Sequence, residues 1–207
     1  MYEVKNNIIN EIIDKYYSED RNDFNRFANI IQSEVKNKEA HMEIWKYDQK
    51  IGGIGGYAAP LNPIKNPFNK YKNFRNVYRS LQYARSNMFI GTRPRYIICD
   101  TGLHIESLIK ILVRKKILLG VARNNRQLGK NIEVLYKSKV INQELYNRLD
   151  NLRKILNLAK HDTSSETNLT FSYLDATVFY FEGRNVGIEL LKIIEDKNCL
   201  EIYKIQM

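Results

Sequence analysis

The chain has three histidines, His41, His104 and His161, and none lies at ligand spacing from another histidine or from a cysteine. His161-Asp162 lacks the further His and Asp partners that a metal-dependent hydrolase needs, so no metal site and no cofactor is expected. His161 stands out for its neighbours. At 100° per residue, Asp150, Arg153, Asn157 and His161 fall within an arc of about 80°, centred roughly 120° from a leucine stripe on the same segment. With Asn157 one turn back and Lys160 adjacent, His161 has the groups needed to move a proton near neutral pH while cations hold a phosphate. The same row also fits a solvated helix face whose terminal histidine is favoured as a cation by the helix dipole. His104, one turn before Leu108, reads as a packed, hydrogen-bonded histidine. Glu106 and Lys110, four apart, fit a salt bridge.

The segment carrying His161 must be a helix. Leu145, Leu149, Leu152, Leu156 and Ala159 step by four and three, which makes one core face. Before it, Leu128, Ile132 and Leu135 mark a short helix. Ile97, Ile98, Thr101, Ile105, Leu108, Ile109 and Leu112 mark a longer one that tolerates Gly102. Phe74, Val77, Tyr78, Leu81 and Tyr83 to Ala84 predict a helix ending before Gly91 and Pro94. Ser172 and Asp175 resemble a capping box opening a last helix with Leu174, Val178, Phe181, Ile188, Leu191 and Ile194 on its core side. At the start, Ile8, Ile9, Ile12, Ile13 and Tyr16, then Phe24, Phe27, Ala28, Ile31 and Val35, predict two helices joined near Ser18 to Arg21. His41 to Asp48 alternates and predicts a short strand before Gly52-Gly53-Ile54-Gly55-Gly56. That glycine run lacks the Gly-Lys-Ser/Thr of a phosphate loop. Pro60, Pro63 and Pro67 place a domain boundary near Asn69, and Leu200 to Ile205 alternates as a strand would. The expected fold is mostly α, α+β overall, with a small N-terminal α/β segment over 1–69 and a helical bundle over 70–207.

Charge is distributed unevenly. Gln49 to Ile132 holds sixteen Lys or Arg against two acids, Asp100 and Glu106, whereas the remainder holds seventeen against twenty-one. A local positive field of this kind attracts polyanions, with RNA or DNA first among them. Aromatic residues lie among the cations, and flat rings beside cations can stack on bases while the cations hold phosphates. Lys70, Lys72, Arg75, Arg79 and Arg85 with Tyr71, Phe74 and Tyr78 form the expected nucleic-acid-binding set. The alternatives are that most rings are core and the cations a solvated rim, or that the basic surface meets an acidic protein.

The run Leu128-Gly129-Lys130-Asn131-Ile132, then Leu149-Asp150-Asn151-Leu152-Arg153-Lys154-Ile155-Leu156-Asn157-Leu158-Ala159-Lys160-His161-Asp162, a loop, and a helix opening Tyr173-Leu174-Asp175-Ala176 resembles the HEPN superfamily. The helix with Ile105-Glu106-Ser107-Leu108-Ile109-Lys110 would be that family's first core helix. The resemblance covers about half the chain, Tyr96 to Asp196. It implies a helical bundle, a homodimer, and either metal-independent endoribonuclease activity or RNA binding in a toxin–antitoxin, abortive-infection or antiviral system. An acidic antitoxin is a partner of the kind it implies. The family motif is an arginine, a polar residue and, a few positions on, a histidine. Asn157 and His161 match the last two. Leu156 occupies the arginine position, and Arg153 is the nearest arginine on that face, eight residues and so about 12 Å before His161 along the axis. The implied catalytic set is His161, Asn157, Arg153 and Lys160, with Glu106 as a further contact from the first core helix. The alternative is an inactive relative that keeps only a surface for nucleic acid or protein. Arg184-Asn185 begins the same motif, but Glu189 replaces the histidine.

Size and composition fit these expectations. The chain of 207 residues has ordinary apolar content and 27% charged residues, as in a folded globular protein. Two cysteines, Cys99 and Cys199, a hundred residues apart, suit a reducing compartment and read as buried thiols. No apolar run approaches membrane-spanning length and no h-region follows Met1, so a cytoplasmic protein without membrane contact is expected.

Overall fold

The computed structural model describes residues 2–51, 74–118, 127–161 and 171–197, and within them the chain forms eight α-helices and no strand. They are α1 (Tyr2–Tyr16), α2 (Arg21–Gln32), α3 (Lys38–Lys50), α4 (Phe74–Ile90), α5 (Pro94–Leu118), α6 (Leu128–Lys137), α7 (Gln143–His161) and α8 (Tyr173–Asp196). The glycine run, the proline-marked connection with its boundary near residue 69, and the expected C-terminal strand lie outside the described residues.

The helices begin and end for local reasons. Asn37 caps α3 by accepting from the backbone N–H of Glu39 and Ala40, at 2.9 and 3.4 Å. Gly91, at φ 65°, ends α4: its N–H donates to Met88 O at 3.3 Å and that of Thr92 to Asn87 O at 3.0 Å, so two orphan carbonyls are satisfied. α5 starts on Pro94, whose missing N–H costs nothing in a first turn. The capping box at α8 forms as its residue types predict. Ser172 N–H donates to Asp175 Oδ2 at 2.8 Å, and Asp175 N–H to Ser172 Oγ at 3.1 Å.

α3 corrects the expected strand over His41 to Asp48. Its buried residues are His41, Ile44, Trp45, Tyr47 and Asp48, and four of these stand at i, i+3, i+4 and i+7, the helical period. Met42, which the alternating reading turned inward, is 48% exposed. Over its described residues, 2–51, the expected N-terminal α/β segment is helical, with no strand.

α8 is the axis of the bundle. It packs against α1, α2, α5 and α7, and α5 packs in turn against α4, α6 and α7. Phe179, Tyr180 and Phe181 are all fully buried on successive faces of α8, so this helix is surrounded by others. Phe24 of α2 stacks on Phe181 with ring centroids 5.4 Å apart, so helices on both sides of residue 69 share one core.

Three buried ionic clusters fasten the N-terminal helices to that axis. Lys5 of α1 meets Asp175 at 2.5 Å. Arg148 of α7 grips Glu182 through Nε and Nη2, at 2.7 and 2.9 Å, and also reaches Glu189. Tyr17 donates to Glu182 at 2.9 Å. Asp48 of α3 accepts from Arg184 Nε at 2.6 Å and from Arg85, whose Nε also donates to Tyr180 Oη at 2.6 Å. Buried charges need such partners because each would otherwise lose its hydration uncompensated. Among the described residues no helix is long and apolar enough to cross a membrane.

Candidate functional site

The outward row of α7 opens onto a groove of about 680 Å³. Asp150, Arg153, Asn157, Lys160 and His161 line it from α7, Glu106 from α5, and Gly129, Lys130 and Glu133 from the start of α6. Its shape depends on two glycines. A Cβ on Gly129 would stand 3.2 Å from Arg153 Cδ, so the first turn of α6 lies close over the arginine stem. A Cβ on Gly102 would come within 2.4 Å of Leu156 Cδ1, so α5 and α7 approach closely on the core side of the same helix. Leu156, at the arginine position of the resembled motif, is 2% exposed and committed to that contact. The arginine that faces the groove is Arg153.

Two cations of the groove, Arg153 and Lys160, are engaged by acids. Arg153 donates to Asp150 Oδ1 through Nε at 2.8 Å and Nη2 at 2.7 Å, and Lys154 reaches Asp150 Oδ2 at 2.9 Å. Lys160 Nζ lies 3.4 Å from Glu106 Oε2, and Lys110 Nζ is 3.0 Å from Glu106 Oε1. Burial pushes the Glu106 carboxyl up, but hydrogen bonds from Lys110 and Lys160 and their charges outweigh it and hold the group below its usual range. Asp150 is likewise held low: burial raises it, and Lys154 and Arg153 more than compensate. Of the charged lining groups, Glu106, Glu133 and Asp150 match Lys130, Arg153 and Lys160 in number.

The four residues expected to be catalytic therefore share one groove with Glu106. The expected nucleic-acid-binding set is not intact. Arg85 is fully buried, with its guanidinium on Asp48 and Tyr180, and cannot reach a polyanion. Its place at 85 puts it on the inner face of α4, and the run of basic residues in the sequence could not reveal that direction. Arg79 is exposed on α4. Lys70, Tyr71 and Lys72, and the side chains of Phe74, Arg75 and Tyr78, lie outside the described residues. Lys130 and Glu133 join the groove only because α6 folds across α7, and their spacing carries no signal of it.

The other candidates have structural roles. His104 is fully buried, with Nδ1 2.8 Å from Val77 O. Arg184 serves Asp48, and Asn185 donates to Tyr17 Oη at 2.5 Å. Cys99, read as buried, is only half-buried at the edge of the core. Burial nevertheless pushes its thiol up, against the lowering effect of Arg95 and Lys160. Cys199 lies outside the described residues. Among the described residues no three His, Cys, Asp or Glu side chains gather as metal ligands.

Chemically, the groove offers one imidazole for proton transfer, an amide to orient it or to bind an oxygen, and three cations for developing negative charge. Comparisons with models of known protein families, with curated proteins and with solved structures returned no match.

Proposed function

We propose that the protein acts on RNA through this groove, as a metal-independent endoribonuclease of HEPN-like architecture belonging to a toxin or antiviral system. The observation that carries the reading is the convergence of His161, Asn157, Arg153 and Lys160 on one groove. In the reaction the ribose 2′-OH attacks the adjacent phosphorus, forming the 2′-O–P bond as the P–O5′ bond breaks. His161 takes the 2′ proton or supplies one to the departing 5′ oxygen. Lys160 and Arg153 stabilise the charge on the phosphoryl oxygens, and Asn157 orients the imidazole. Two protomers would bring two such grooves together.

A second reading, a binding module without catalysis, is favoured by a separate observation. Leu156 is locked in the core, and Arg153 is held by Asp150, so a phosphate must compete for each cation. The readings separate in one assay. Wild type and His161→Ala are incubated in EDTA with end-labelled RNA and matched DNA, and retention and fragment length are followed. RNA cut by wild type alone, with DNA spared, is the expected result. Retention by both proteins without fragments establishes the binding module instead. No retention and no cleavage refutes both.

A further inference from the structure

The α4–α5 hairpin turns an unusual face to solvent. Four of its large apolar or aromatic residues are exposed: Tyr83 at 54%, Ile90 at 57%, Tyr96 at 52% and Leu103 at 44%. They lie side by side. On α4, Arg79, Tyr83 and Ile90 fall within about 40° of one another, and on α5 so do Tyr96, Leu103 and Lys110. Asn87 joins the two helices between these rows by donating to Asp100 Oδ2 at 2.7 Å. From Gln49 to Cys99 the chain has no acid, so Asp100 is the first met along this hairpin, and it is tied to Asn87. Arg79 and Arg93 are exposed on the same hairpin. The face adjoins the groove, because Arg95 donates to Lys160 O at 3.5 Å and Glu106, on the next side of α5, meets Lys160.

We infer that this face is a binding surface for single-stranded nucleic acid: Tyr83 and Tyr96 stack on unpaired bases, Arg79 and Arg93 hold the adjoining phosphates, and the strand runs across α5 into the groove at His161. The inference rests on the nucleic-acid reading above and specifies its substrate as a strand with unstacked bases. Charge complementarity selects this occupant, since the exposed guanidinium groups of Arg79 and Arg93 flank the rings and the one carboxylate between the rows, Asp100, is half-buried and held by Asn87. A duplex keeps its bases stacked inside and offers nothing to the two rings.

The test is fluorescence anisotropy of the full chain with a labelled twelve-nucleotide single strand and with the matching duplex, carried out at several salt concentrations. Tyr83→Ala and Tyr96→Ala are each expected to weaken single-strand binding by about 5- to 150-fold, whereas Tyr83→Phe and Tyr96→Phe keep wild-type affinity. Arg79→Ala and Arg93→Ala should each reduce the salt slope by about one. Tyr83→Trp supplies an independent readout, because stacking quenches its fluorescence as the strand is added. Binding unchanged in both alanine variants, or a duplex bound as tightly as the single strand, overturns the inference while leaving nucleic-acid binding by the groove in place. A wild type that retains no strand at all removes both readings. A wild-type dimer broken by the tyrosine variants, with no strand retained, makes the face a contact between copies.

Discussion

His104 makes the stability of this protein depend on pH in a window that can be calculated. Its ring is fully buried on α5, with Nδ1 donating to the Val77 carbonyl at 2.8 Å. Burial lowers its affinity for a proton, the Val77 hydrogen bond opposes this, and the nearby Arg184 and Arg85 charges add to the lowering. The pKa is brought from 6.5 to about 4. Since the unfolded chain binds the proton first, the stabilisation is fully present above pH 6.5 and is lost as pH falls toward 4. At about 1.36 kcal/mol for each tenfold change in proton affinity, the loss is roughly 3 kcal/mol, a large share of a typical domain's margin. His104→Asn keeps a donor for Val77 but cannot titrate. Urea unfolding followed by circular dichroism, at pH steps from 7.5 to 4, should show wild type losing about 3 kcal/mol more than the variant. The variant is less stable at pH 7.5 because the smaller side chain leaves a void. Groups common to both proteins cancel in the difference. Parallel stability curves for the two proteins would refute the reasoning.

Two other outcomes follow from packing and charge. Asp48→Ala leaves the Arg85 and Arg184 guanidinium groups without their shared carboxylate in the core, and should cost about 3–5 kcal/mol in denaturant unfolding. Gly102→Ala drives a methyl group into Leu156 and should cost about 1–3 kcal/mol. In a Leu156→Ala chain, which lacks the clashing methyl groups, Gly102→Ala should cost less than it does alone, so the two changes are not additive.

How much was legible in advance varied by element. The α7 stripe and the α8 capping box were readable because each depends on neighbours within a few residues, where spacing maps directly onto a helix face. α3 was misread as a strand because a short segment with apolar residues at 42, 44, 45 and 47 satisfies both periods in part. The deciding residues were His41 and Asp48, polar side chains that are buried only because α4 and α8 supply their surroundings. α8 showed a single apolar stripe on paper, but the fold surrounds it and buries Glu182 and Arg184 along with Phe179 and Tyr180.

By itself the sequence determined the helical periodicity, the caps, and the polar row Asp150, Arg153, Asn157 and His161 on one side of α7, since local spacing sets helix faces. Only the tertiary structure decided which charges meet. It sent Arg85 inward to Asp48, brought Glu106 to Lys160, and folded α6 over the row to make a groove. The physical reason is that a side chain's direction on its own helix is local. Its partner comes from another helix, placed there by the burial of the common core.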